Sequence, residues 1–410
     1  MAAEGGLDLK GYWVAELRVR YGWVVVAAAF TVMFVGFGIA YGFAAFFRTF
    51  VVEFNANRGD ISLIFALSGF LYFVLGAVSG PLADRFGPRP VVIFGMVLIG
   101  GGLLVASTAT NLHQIYLSYG IAVGVGVGFS YVPSVGAVQR WFVRRRAMAS
   151  GIAVSGIGFG TLAGPPLAGW LIGQFDWRHA YQILGVATVL VGTVAGYLLS
   201  RPGPSGRSAA AEGVVLTGMT LRQALGTRPF WMIFIASMAN SFAIFVPFVH
   251  LLPYAVDLGH SETVGLWLMG LIGVGSIVGR FAIGALGDRI GRRRTFTVQF
   301  AGIGLMMVWW WGSTEVWSLV VFALIFGALY GGFVALAPAL SADYFGGRHI
   351  SGILGCIYSG VGIGTLIGPT LAGVAFDRYQ SYDLPILVAA AITVISVVCS
   401  GWMLRDPEPD

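Results

Sequence analysis

Gly80-Pro-Leu-Ala-Asp84-Arg85-Phe-Gly87-Pro-Arg89 has a twin at Gly284-Ala-Leu-Gly-Asp288-Arg289-Ile-Gly291-Arg-Arg293, 204 residues further along the chain. Gly158-Phe-Gly160-Thr161-Leu-Ala-Gly164-Pro165-Pro-Leu-Ala-Gly169 and Gly362-Ile-Gly364-Thr365-Leu-Ile-Gly368-Pro369-Thr-Leu-Ala-Gly373 keep the same offset. Two motifs at one offset mark a duplicated chain. The rest is built of long apolar runs, read with a window of about 19 residues. They fall near 23–47, 61–83, 90–109, 115–138, 147–173 and 179–200, then 230–256, 263–286, 295–312, 316–341, 350–375 and 384–404. The runs are continuous, not alternating, which excludes a membrane barrel. The expected fold is an all-α polytopic membrane protein with twelve transmembrane helices in two six-helix halves. Its parts are an N-terminal segment 1–22, a bundle 23–200, a linker 201–229, a bundle 230–404 and a tail 405–410.

Composition agrees with a lipid solvent. Hydrophobic residues make up 57% of the chain and charged ones 10%, against roughly 25% charged in soluble domains. Cys356 and Cys399 both lie in apolar runs, outside any CxxC or Cys/His cluster, so no disulfide framework, metal site or cofactor is expected. The first 20 residues lack the pattern of a cleaved signal peptide. The net charge of +6 does not point to nucleic acid, because the basic residues gather in short loops on one side. That side holds 19 Lys and Arg, and the other holds Arg48, Arg58, Arg178 and Arg378. The positive-inside rule then puts both termini in the cytoplasm. Trp309, Trp310 and Trp311 close the ninth span like an outer aromatic belt. Compact loops fit a multi-pass protein of a prokaryotic plasma (inner) membrane.

Duplicated halves imply alternating access around a site near mid-membrane. With the GxLxDRxGxR loops and the six-plus-six spans, essentially the whole chain resembles the major facilitator superfamily. That resemblance implies the major facilitator fold, and that Asp84, Arg85, Asp288 and Arg289 fasten neighbouring helices in one conformation. Three features narrow it to the monocarboxylate transporter family: Tyr21-Gly22-Trp23 opening span 1, Arg145-Arg146 with Ala149-Ser150-Gly151 opening span 5, and Arg280 in span 8. The resemblance implies that Arg280 binds the substrate carboxylate. The family's acid four residues before that arginine is Ser276 here, and its span 1 lysine aligns with Tyr41. The chain is also similar to oxalate:formate antiporters, but these carry a second cation in span 11, and 350–375 has no Lys or Arg.

Arg280 also stands out without any resemblance. A basic side chain inside a span costs about 2.5–3.5 kcal/mol or more, so something compensates it. It precedes Asp288 by eight residues, about 12 Å along a helix, and its repeat counterpart is Gly76. A guanidinium fork fits a carboxylate bidentately; the alternative is an internal salt bridge. Gly273, Ser276 and Gly284 share its face, leaving room for a ligand or for close packing. In span 7, Asn240, Pro247, His250, Tyr254 and Asp257 form a polar stripe. Asp257 is the best remaining acid for proton coupling, with Arg280 as a conceivable partner, and His250 titrates in a useful range. Tyr41, Tyr119, Tyr131, Tyr330, Phe333 and Tyr358 lie in spans 1, 4, 10 and 11, which the resemblance to the superfamily implies line the cavity, and Tyr119, Tyr330 and Phe333 are the candidate substrate contacts. No P-loop, HExxH or GxSxG is present, so an enzyme is not expected. A membrane sensor is disfavoured by the short tails. The expected activity is proton-coupled symport of small monocarboxylates (L-lactate, pyruvate) by a protein acting as a monomer in the bilayer, with organic-anion exchange as the alternative.

Overall fold

The computed structural model describes residues 9–142, 146–200, 218–346 and 349–403. Most of the linker 201–229, Arg144, Arg145, Arg348 and the tail 405–410 lie outside the described residues, as do the side chains of 9–20, Arg146 and Ala147. Among the described residues there are twelve long helices. The first half holds α1 (Leu9–Glu53), α2 (Arg58–Phe86), α3 (Pro88–Ala106), α4 (Leu112–Trp141), α5 (Arg146–Gln174) and α6 (Trp177–Leu198). The second holds α7 (Arg228–Asp257), α8 (Glu262–Ile290), α9 (Arg292–Trp311), α10 (Val316–Phe345), α11 (Ile350–Tyr379) and α12 (Asp383–Trp402). The bundle is all-α, with the twelve helices disposed as the major facilitator fold requires.

Eleven of the twelve are long and apolar enough to cross a membrane. The exception is α9, read from the sequence as the ninth span. It carries Arg292, Arg293 and Arg294 at one end and Trp309, Trp310 and Trp311 at the other. Such residues belong at membrane interfaces, so a helix of only 20 residues that ends in both has a low mean hydropathy.

The repeated motif ends its helix identically in both halves. Gly87 follows α2 with φ 98° and Gly291 follows α8 with φ 96°. This left-handed backbone favours glycine, and it turns the chain directly into the next helix. We call the face with these loops and the linker the terminal face, and the opposite one the far face.

Two seams join the halves, α2 on α11 and α5 on α8. Both are made by glycine. A Cβ on Gly273 would collide with Gly158 O and Leu162 N of α5, and one on Gly373 with Gly59 Cα and Arg58 O of α2. On its other side α8 meets α10 as closely, with Gly279 against Ala328 O and Gly331 against Ser276 O. The small residues around Arg280 therefore serve mainly packing, although Gly284 faces open space.

This gives a first test. Gly279→Ala must push α8 from α10 and should lower stability by about 1–3 kcal/mol. Gly101→Ala, where a Cβ meets nothing within 4 Å, should not destabilise. Thermal unfolding of the two purified variants in detergent compares them, and equal midpoints would contradict the packing argument.

Candidate functional site

Arg280 lies two-thirds of the way along α8 and is only 7% exposed. One guanidinium nitrogen, Nη1, donates to the carbonyl of Val154 on α5, across the seam between the halves. Nε and Nη2 are buried with no hydrogen-bond partner among the described residues. The ionisable groups within its electrostatic reach are Tyr330, Tyr131 and Tyr41, and no carboxylate is among them. The salt-bridge alternative raised by the sequence thus finds no acid partner among the described residues. Ser276, one turn away, is fully buried, and its hydroxyl also lacks a partner among the described residues.

Above Arg280, towards the far face, Tyr41 of α1 and Tyr330 of α10 join hydroxyls at 2.7 Å. Phe248 of α7 packs on both rings, with centroids 4.5 Å from Tyr41 and 5.1 Å from Tyr330. Phe37 braces Tyr41, Tyr72 and Tyr131 at 5.5–5.7 Å. The cation therefore sits under an aromatic roof that spans both halves.

The other sequence candidates divide. Tyr119 lies in a π-helical turn of α4, Tyr116–Ile121. Its hydroxyl donates to Ile39 O of α1 at 2.9 Å, and its ring stacks on Tyr181, so here it fastens helices of one half. Phe333 stacks on Phe296 and packs tilted against Phe300 inside the other half. Asp84 accepts a hydrogen bond from Arg140 at the end of α4. Asp288 accepts from Arg292 at 3.0 Å, and Arg292 also donates to Asp343 of α10 at 2.8 Å. The loop acids thus tie helices together within each half. Arg85 lies over the Phe86 ring at 5.2 Å, and Arg289 occupies the exposed last turn of α8.

Asp257 does not meet Arg280. It meets Arg58 of the other half, which donates to both carboxylate oxygens at 2.5 and 2.9 Å. Arg58 also donates to the Tyr382 hydroxyl at 2.7 Å and lies 3.8 Å over the Phe376 ring. The backbone N–H groups of Arg58 and Gly59, at the N-terminus of α2, donate to Asp377 of α11 at 2.9 and 2.8 Å. A carboxylate suits that helix end. His250 is fully buried one layer below. Its Nε2 faces Pro369 O at 2.9 Å and Ser62 Oγ at 3.2 Å, and its Nδ1 faces the Tyr382 hydroxyl at 3.2 Å. A carbonyl can only accept, which assigns the proton to Nε2. Hydrogen bonds then run one way, from Arg58 to Tyr382 to His250 to Pro369. Among the described residues, side-chain hydrogen bonds between the halves gather at this far-face cluster and around Arg280.

Sequence reading missed Arg58, which counted only as a loop charge. The repeat held the signal. Glu53 pairs with Arg178 at 2.7 Å within the first half. At the same offset of 204, Glu53 becomes Asp257, but Arg178 becomes Tyr382. The second half has an acid without its own cation.

The profile described as Major Facilitator Superfamily matches residues 24–314 and 251–410. Monocarboxylate transporter 13 of Bos taurus is 30% identical over 391 residues, spanning 95% of this chain and 90% of its own. The chain belongs to the monocarboxylate transporter family of the major facilitator superfamily. Monocarboxylate transporter 3 of Rattus norvegicus is 28% identical and aligns over 95% of this chain and 82% of its own. Among solved structures, the peptide transporter POT in complex with sulfate superposes with a TM-score of 0.71 at 14% identity, covering 93% of each chain, a likeness of fold. As a family member, this multi-pass protein is a transporter.

The tyrosine pair above Arg280 can be tested by a double-mutant cycle. Tyr41→Phe and Tyr330→Phe each remove the same hydrogen bond and should each cost about 0.5–1.5 kcal/mol. The double variant should cost clearly less than the two losses added. Unfolding in detergent reads all four proteins, and strict additivity would mean that the hydroxyls do not bond.

Proposed function

We propose that this transporter is a proton-coupled symporter of small monocarboxylates such as L-lactate and pyruvate, working by alternating access, with the substrate carboxylate held by Arg280. The observation that carries this reading is a buried guanidinium with two unspent donors and, among the described residues, no carboxylate within electrostatic reach. A buried cation without an anion is costly, and a carboxylate that takes Nε and Nη2 side by side would supply both the charge and the missing acceptors. Uncharged ligands would leave the charge uncompensated. The tyrosine and phenylalanine rings around it suit a short carbon chain. The names of the relatives agree with this cargo.

One cation matches one carboxylate, so the loaded site is neutral. A proton travelling with the anion makes the whole step electroneutral, which removes a penalty of about 2.3 kcal/mol per charge for each 100 mV of membrane potential. Ser276 cannot carry that proton, and His250 has its ring nitrogens committed, so Asp257 is the acid we assign to coupling. We read the terminal face and both termini as cytoplasmic and the membrane as the plasma membrane, which the positive-inside count supports. The far face is then the outer one, where Arg58 of one half grips Asp257 of the other. We take the monomer, with its two halves, as the working unit.

Uptake of labelled lactate into proteoliposomes tests the reading. Uptake should rise with an inward proton gradient, and Arg280→Ala should abolish it. Arg280→Lys keeps the charge but loses the fork, and its apparent affinity should fall by about tenfold or more, as expected for a charged hydrogen bond worth roughly 1.5–3 kcal/mol. Full uptake by Arg280→Ala would remove the anchor, and indifference to the gradient would remove the coupling.

A further inference from the structure

We propose that Ser241, together with Ser276, reads the oxygen on carbon 2 of the substrate and so selects 2-hydroxy and 2-oxo acids over plain short-chain acids, an inference that rests on the reading of Arg280 as the carboxylate anchor. Both side chains are fully buried, and both hydroxyls lack a hydrogen-bond partner among the described residues. A hydroxyl in an apolar helix commonly bonds back to a carbonyl one turn earlier. Ser134 does so to Ser130 O and Ser341 to Ala337 O, each at 2.7 Å, and Thr161 and Thr365 do so at 2.8 Å. Ser241 and Ser276 make no such bond. A buried polar group left alone is costly, and a ligand that supplies the partner recovers that cost.

Both serines stand near the level of Arg280, under the tyrosine roof. Helix α7 rises from the terminal face and α8 descends to it. Ser241 comes 13 residues after Arg228, where α7 starts, and Ser276 comes 14 residues before Ile290, where α8 ends. These are about 20 and 21 Å of helix. Helical side chains lean towards their own N-terminus, which carries the Arg280 head group along α8 towards Ser276. On α7, Ser241 precedes Phe245 by four residues and Phe248 by seven, so the three share a face. Both rings reach Tyr330, with centroids at 6.4 and 5.1 Å. Helix α11 takes a neighbouring face of α7, where Gly364 and Gly368 meet the backbone of Met238 and Phe242.

The repeat shows what these two positions hold when their role is packing. At the offset of 204, Ser241 corresponds to Phe37 and Ser276 to Tyr72. In the first half those two rings meet edge to face at 5.7 Å. The second half, which has Arg280 where the first has Gly76, puts a hydroxymethyl group in place of each ring. The cation and the two hydroxyls thus occur together in one half, and none of them has a twin. In a 2-hydroxy or 2-oxo acid the extra oxygen sits on the carbon next to the carboxylate. A ligand gripped by Arg280 therefore presents that oxygen to the adjoining walls. A serine hydroxyl both donates and accepts, so the pair serves a hydroxyl and a keto oxygen alike. Acetate or propionate would fill the anchor and leave both serines alone.

Equilibrium binding of labelled L-lactate to the purified transporter in nanodiscs, with propionate as the competing acid of equal chain length, tests this. The parent should bind L-lactate several-fold more tightly than propionate. Ser241→Ala should weaken L-lactate by about three- to tenfold, the worth of one neutral hydrogen bond, and leave propionate within about twofold. Ser276→Ala should act in the same direction, and the double variant should bind the two acids about equally. Ser68→Ala removes another buried, unpartnered hydroxyl, one on the stretch of α2 packed against Gly124 of α4, and should change neither affinity. A parent without preference, a preference unchanged by Ser241→Ala, or equal losses for both acids overturns the proposal. Should Ser241→Ala not fold, Ser276→Ala carries the same test. A parent that binds neither acid, or binds both regardless of Arg280→Ala, removes the anchor reading and this inference with it. That pattern is distinct from Arg280-dependent binding that ignores the serines, which counts against this inference alone.

Discussion

A positive charge held out of water with no acid of its own is the constraint around which this molecule is arranged. Arg280 is embedded between α5, α8 and α10, and the protein satisfies one of its donors with the Val154 carbonyl. Everything near it is aromatic or small. The aromatic residues exclude water and keep the local dielectric low, which strengthens any anion that enters. The small residues let backbones close around it. A cation in such a place is destabilising when empty and stabilising when occupied. That difference is what binding energy needs if it is to drive a change of shape.

The far-face cluster complements that constraint. It links five residues from both halves by hydrogen bonds: Arg58 donates to Asp257 and Tyr382, its backbone N–H donates to Asp377, Tyr382 donates to His250, and His250 donates from Nε2. An exposed ion pair contributes little to stability, but a two-pronged one with a ring under it is better held. Because its members belong to different halves, whatever stability it gives belongs to one conformation alone.

Much of this was legible in the sequence. Hydropathy marked all twelve long helices, α9 included, and the 204-residue offset showed the two halves. Arg280 announced itself as a lone charge in an apolar run. Other features were hidden for physical reasons. Asp257 looked like a partner for Arg280, because a sequence gives depth along one helix but not the neighbour across an interface. Tyr119 and Phe333 had the right chemistry and the right helices, but side-chain direction decides whether a ring lines a cavity or packs behind it. Arg58 was readable only by laying one half over the other and noticing Tyr382 where Arg178 stands.

The glycine-lined seams have a mechanical meaning. Where α5 meets α8 and α2 meets α11, backbone touches backbone at Gly158–Gly273 and Gly59–Gly373. Interlocking side chains act like gear teeth, and rotating them costs a rotamer change at every tooth. These seams have shallow teeth, with Ile277 resting in the hollow at Gly158 and Val374 in the one at Gly59. Halves joined largely through backbone have few rotamers locked across the seam, which leaves the polar bonds at the cluster and around Arg280 as the specific ties between them.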